Sequence, residues 1–227
     1  MPGLSVEIGW KIVLRFVFFM LLVPVVLFVS AGRFDWVMGW IYVALVVLFT
    51  IVGRFVVFRK NPDLIAERSQ FTKAEGTKIW DKTIAPLLAV FAPFLVVVAA
   101  GLDMRFGWSP QLSLGVQAVA MILVVFGYLV ATWAMIVNRF FSGVVRIQKD
   151  RDHRVVVDGP YRYVRHPAYV SGIIIYPATA LALGSLWALA PAFSLCFWPL
   201  FGRCLRIEPC EENLTVIGTT LKGYAIA

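Results

Sequence analysis

The chain has 227 residues, of which 60% are hydrophobic and only 15% charged, with a formal net charge of +8; its mean hydropathy is +0.83. This composition excludes an ordinary soluble core of this length, and it describes an all-α, polytopic membrane protein. The basic excess has no separate basic domain to carry it, so it reads as contact with anionic membrane lipids and not with nucleic acid.

A spanning helix needs about 20 mostly apolar residues. Six stretches approach that length: 12–29, 37–57, 84–102, 112–137, 168–183 and 186–200. Lys11 and Arg15 precede the first apolar run without a small-residue cleavage site, so a retained first helix is expected and not a removed signal peptide. The last two stretches are short and separated only by Gly184-Ser185, which predicts a helical hairpin.

Of the 21 Lys and Arg, only Arg33 and Arg105 fall in the loops after the first and third spans. The positive-inside tendency then places both termini and the loops 54–82 and 139–165 in the cytosol. In the stretch 59–82, Leu64, Ile65, Phe71, Ile79 and Trp80 punctuate the charges, as in a helix lying in the interface. Residues 155–157 form a brief β-prone run of valines before the turn at Asp158-Gly159-Pro160. Cys196, Cys204 and Cys210 are an odd number near the reducing side and offer neither a disulfide framework nor a metal site. No repeat or low-complexity linker interrupts the chain. It therefore reads as one domain, 1–227, with N-terminal spans in 1–137 and the site-bearing half in 138–227.

No Asp, Glu, Lys, Arg or His lies in the middle of a predicted span, whereas ion-coupled transporters place ionisable groups there. Chemistry is therefore expected at the cytosolic ends, where both histidines, His153 and His166, are found. The run G-P-Y-R-Y-V-R-H-P-A-Y-V-S-G, 159–172, packs arginine, histidine and tyrosine against the fifth apolar stretch. Proline suits the first helical turn and biases the residue before it out of helical geometry, so His166 should sit just outside that helix. Arg165 and Tyr169 would then gather at a helix N-terminus, where free N–H groups favour an anion such as a carboxylate. Snorkelling arginines and belt tyrosines around a proline-started helix explain the same residues without a ligand, and both readings stay open on physical grounds.

The order H-x-V-V-x-x-G-P-Y-R-Y-V-R-H-P-x-Y, from His153 to Tyr169, is followed by an apolar hairpin, an arginine, a Glu-Glu pair and a Gly-Tyr. In this it resembles the isoprenylcysteine carboxyl methyltransferase family of integral membrane enzymes, whose outline phospholipid and thiol methyltransferases share. The resemblance implies S-adenosylmethionine as cofactor, held in a cytosol-facing C-terminal pocket that opens toward lipid. Carried over by position, it makes Gly159, Tyr161, Tyr163, Arg165, His166, Pro167 and Tyr169 part of that pocket. Gln148, His153 and Val156 would line another wall, with Glu211 and Glu212 as its acidic pair. Tyrosine rings can pack on adenine, and carboxylates can accept from ribose hydroxyls or pair with an ammonium group. Arg206, or alternatively Arg203, would hold an anionic acceptor, with His166 and Tyr169 beside the reacting groups. Two departures stand out. Ser171 replaces the glycine expected two residues after the motif tyrosine, with Gly172 one place late, and Pro209 interrupts the tail, where the spacing from Arg206 to the acids is one residue long.

The implied activity is methyl transfer from S-adenosylmethionine to a lipophilic small-molecule or prenylated acceptor, foremost a carboxylate of isoprenylcysteine type. A metal is not required, and two histidines without ligand-like spacing do not supply a site for one. Three alternatives accompany this reading: an S- or N-methyltransferase on a thiol or phospholipid amine, a sterol-reductase-like membrane reductase, and a non-catalytic lipid-binding membrane protein.

Overall fold

A computed structural model describes residues 10–61, 79–138, 141 and 156–204. They form α1 (Trp10–Ala31), α2 (Val37–Lys60), α3 (Ile79–Phe106), α4 (Leu114–Val137), a 3₁₀ turn (Gly159–Arg162), α5 (Pro167–Ala182) and α6 (Leu189–Cys204). The helices fall on the six apolar stretches. Among the described residues there is no strand, and Val156 and Val157 of the valine run lie in irregular chain. The expected interfacial helix within 59–82 falls largely outside the described residues.

Burial is confined to the seam where the helices meet. Leu27 and Phe28 of α1, Val46 of α2, Val96 and Ala100 of α3, Val124 of α4 and Ala178 of α5 belong to one apolar cluster. The principal pairings are α4 with α5, α1 with α3, α5 with α6 and α2 with α4. Small residues let the backbones approach, as packing in lipid requires. A Cβ on Gly127 of α4 would lie 2.5 Å from Ile175 Cγ1 of α5, and one on Gly101 of α3 would collide with Ser30 of α1. The outward faces carry exposed Phe18, Leu21, Leu48, Phe55, Ile122 and Phe126. In water so much contiguous apolar surface would drive association; against acyl chains it is the matched surface. α2 and α4 have 24 residues each and are apolar enough to cross a membrane, and at 1.5 Å per residue each reaches about 36 Å, more than the roughly 30 Å hydrocarbon core. The apolar segments 16–31 and 167–182 are shorter.

The end of the bundle holding the α1–α2, α3–α4 and α5–α6 connections is closed by a polar clasp. Asp103, expected in a loop, instead lies in the last turns of α3 and is 3% exposed. Its carboxylate accepts from the Ser109 backbone N–H at 2.7 Å, from the Ser109 hydroxyl at 2.5 Å and from the Ser185 hydroxyl. Ser109 Oγ in turn accepts from Leu186 N–H at 2.9 Å, and Ser185 Oγ from Ala188 N–H at 3.0 Å. These last bonds hold residues 186–188 in a turn, which is why α6 begins at Leu189 and not at residue 186, as the apolar pattern suggests. Gly184, at φ +74°, makes the reversal and lets Ser185 N–H reach Ala180 O at 2.9 Å. Stacked Phe106 and Trp108, with Trp187 edge-on to Trp108 at 6.1 Å, ring the same end, as aromatic side chains do at a membrane interface. In the α1–α2 loop the bidentate bonds from Arg33, at 2.6 and 2.7 Å, hold the Asp35 carboxyl below the usual carboxylate range. Both groups are exposed, so the pair contributes little to stability.

Candidate functional site

At the opposite end, where α2 and α4 finish and α5 begins, the motif is fastened to α4. Gly159 adopts φ +57°, and a Cβ there would lie 2.8 Å from Val137 Cγ2 and 3.2 Å from Trp133 Nε1. Only glycine combines that left-handed conformation with that approach. The 3₁₀ turn follows, closed by Tyr161 N–H to Asp158 O at 3.1 Å and Tyr163 N–H to Pro160 O at 3.2 Å, with Pro160 buried. The half-buried Tyr161 lies with its hydroxyl 3.5 Å from Ala134 O, to which it donates, and accepts from Asn138 Nδ2 at 3.1 Å. Burial pushes its phenol up, opposed by the Asn138 bond. Tyr161 thus uses its hydroxyl to dock the turn on α4.

Helix α4 ends with its last carbonyls capped from elsewhere. Asn138 N–H bonds Ala134 O at 3.1 Å, and the Asn61 side chain, at the C-terminus of α2, donates to Met135 O at 3.0 Å and Ile136 O at 2.7 Å. Asn61, Asn138, Trp133 and Val137 are structural supports of the motif that its sequence pattern does not mark. An asparagine just past an apolar helix is a recognisable C-terminal signal, but its partner on another helix is not.

Helix α5 begins as the His166-Pro167 pair predicts. His166 is the N-cap with φ −136° and ψ 69°, and Pro167 is the first helical residue, fully buried. Tyr169 and Val170 N–H both bond His166 O, at 3.0 and 3.3 Å. Since proline has no N–H, Ala168 alone keeps a first-turn N–H without a backbone partner among the described residues, and the expected anion-binding helix start is narrower than the sequence suggests. The rings of His166 and Tyr169 lie 5.4 Å apart, tilted by 31°. With Tyr163, 77% exposed, and Arg165 they make an exposed rim.

Of the residues singled out, Tyr163, Arg165, His166 and Tyr169 come together on this rim, with Val156 half-buried nearby in sequence. Gly159, Tyr161 and Pro167 hold it from within. Gln148, His153, Arg206, Glu211 and Glu212 lie outside the described residues. Among the described residues no group of His, Cys, Asp or Glu could hold a metal ion.

Beneath the rim, a cavity of about 270 Å³ opens between α2, α3, α4 and α5. It follows α5 from Ala168 to Thr179, about 16 Å at the helical rise. Tyr42, Tyr128, Tyr176, Ser171 and Thr179 give it hydroxyls, while Val96 and Ile175 are apolar. Ser171, at the place of the expected glycine, turns its hydroxyl to Ala168 O at 2.8 Å. Gly172 lies beside the Tyr176 ring, whose edge would be 3.4 Å from a Cβ there.

Residues 119–216 match the isoprenylcysteine carboxyl methyltransferase (ICMT) family. The chain is 38% identical over 68 residues to a protein-S-isoprenylcysteine O-methyltransferase of Schizosaccharomyces pombe, covering 30% of this chain and 28% of that protein. It is 32% identical over 108 residues to one of Dictyostelium discoideum, 47% of this chain and 44% of that protein. Against a probable enzyme of the same name from Oryza sativa subsp. indica it is 29% identical over 94 residues, covering 41% and 49%. Each alignment spans less than half the length of the relative. No solved structure matches the chain.

Proposed function

We propose, from the match of residues 119–216 to the isoprenylcysteine carboxyl methyltransferase family and from the relatives of that activity, that the protein is a membrane methyltransferase that uses S-adenosylmethionine to methylate a lipophilic carboxylate of isoprenylcysteine type. The observation that carries this reading is the juxtaposition of an exposed polar and aromatic rim with an intramembrane cavity at the start of one helix, α5. The residues present fit such a cofactor. Tyr163 and Tyr169 offer ring faces to a purine, and Arg165 offers a forked donor to a carboxylate. When bound, the cofactor would supply a methyl group on a positively charged sulfur.

The chain's own contribution is alignment. The cavity takes the apolar part of the acceptor, so its head is left at the rim, beside His166 and Tyr169. Burial along α5 keeps the acceptor's apolar chain out of water, and fixed orientation of its head removes much of the entropic barrier. His166 acts in binding. A carboxylate acceptor is already ionised at neutral pH, so no general base is required, and turnover of a prenylated cysteine analogue should change little between about pH 6 and 8. Gln148, His153, Glu211, Glu212 and Arg206 complete the proposed pocket on the strength of the family pattern.

Calorimetry on the detergent-solubilised protein tests the reading. S-adenosylhomocysteine should bind and a nicotinamide dinucleotide should not. His166→Ala and Tyr163→Ala should each weaken binding by about 1–3 kcal/mol without unfolding the chain. Unchanged affinity in both variants would reduce the motif to an interfacial anchor.

The same reading makes the chain multi-pass, with about six spanning helices and cytosolic termini, supported by the partition of its basic residues. Single cysteines at exposed Val157 and Gln111 report on this. A membrane-impermeant maleimide should reach Val157→Cys from the cytosolic side and Gln111→Cys from the other. The opposite pattern would invert the topology.

A further inference from the structure

The hydroxyls lining the cavity between α2, α3, α4 and α5 are not equivalent. Tyr42 and Thr179 face each other at 3.4 Å, Tyr128 has Thr50 beside its hydroxyl, and Ser171 donates to Ala168 O at 2.8 Å. The Tyr176 phenol lines the same cavity without a hydrogen-bond partner among the described residues. Its ring leans back toward Gly172, the residue one turn nearer the mouth, as helical side chains do. That sets the phenol roughly one to two turns, about 5–11 Å, inside the mouth at Ala168. A purely hydrocarbon occupant would leave this polar group desolvated and unpaired, which is the costly state for a hydroxyl.

We propose that the cavity selects a lipophilic acceptor carrying a hydrogen-bonding oxygen on its chain, close to the reacting end, and that Tyr176 is the residue that recognises it. This rests on the cavity being the acceptor site. An oxygen at that depth accepts from the Tyr176 O–H while the remainder of the chain stays in the apolar part against Val96 and Ile175. Tyr176 is thereby a specificity residue and has no part in the transfer itself.

The test uses the full-length protein in detergent, without methyl donor, so that it is independent of cofactor binding. The probes are S-dodecyl-N-acetylcysteine and a set of equal-length analogues with one keto group at successive chain positions. The readout is the ratio of the affinities of keto and plain chains, compared between proteins so that partitioning into detergent cancels. For keto positions near the sulfur, this ratio should fall roughly tenfold in Tyr176→Phe and stay unchanged in Tyr128→Phe. Matched melting temperatures would show that both variants are folded. A ratio that is the same in wild type and Tyr176→Phe at every keto position would overturn the proposal. Failure of S-adenosylhomocysteine to bind would instead overturn the methyltransferase reading and leave this measurement standing.

Discussion

Gly159→Ala should lose S-adenosylhomocysteine binding, and the size of the loss follows from two separable costs. The position is at φ +57°, where an L side chain costs about 1–2 kcal/mol. The new methyl also meets Val137 Cγ2 at 2.8 Å and Trp133 Nε1 at 3.2 Å, and overpacking of this kind costs about 1–3 kcal/mol. Together, about 2–5 kcal/mol opposes docking of the 3₁₀ turn on α4. Release of the turn moves Tyr163, Arg165 and His166 away from their places on the rim. Gly107 supplies the control: it has φ +65° but nothing within 4 Å of a Cβ. Gly107→Ala should therefore show only the conformational cost, about 1–2 kcal/mol, and keep its affinity. Equal binding losses in the two variants would mean that general destabilisation, and not release of the turn from α4, underlies the loss at residue 159.

Asp103→Ala should lower stability by about 2–4 kcal/mol, read as a drop in the melting temperature of the detergent-solubilised protein. The carboxylate gathers two donors from Ser109 and one from Ser185 in a buried setting. Removing it strands the Ser109 N–H and loosens Ser109 Oγ and Ser185 Oγ, which themselves hold Leu186 and Ala188 N–H. Ser185→Ala removes part of the same network, so the double variant should cost less than the sum of the singles. S-adenosylhomocysteine affinity of the folded fraction should be unaffected, because the clasp closes the end of the bundle away from the rim. Additive losses would show that Asp103 and Ser185 act independently.

The helices were legible because a bilayer removes the alternatives. With no water to satisfy free backbone groups, a long apolar stretch must be helical, so hydropathy alone located α1 to α5 to within a few residues. The His166-Pro167 boundary was equally local, being a matter of ring sterics and a missing N–H. The tyrosines were legible as residues and not as roles. Tyr161 and Tyr163 read alike in the motif, yet one docks on α4 through Asn138 and the other lies on the exposed rim, since a 3₁₀ turn points neighbouring side chains in different directions.

What hydropathy could not reach depends on partners distant along the chain. Asp103 reads as a loop acid, and only its meeting with Ser185, 82 residues away, explains how a carboxylate is accommodated in the buried last turns of the apolar helix α3. That same bond network shifts the start of α6. Asn61 caps carbonyls 74 and 75 residues on, and the cavity beneath the rim draws Tyr42, Tyr128 and Tyr176 from three different helices. Apolar length and local sterics set where each helix runs and where the motif meets α5, because both act within a few residues. Which polar groups are satisfied, and which hydroxyl is left facing the cavity, was decided by tertiary packing, because hydrogen bonds between helices are made only once the helices are side by side.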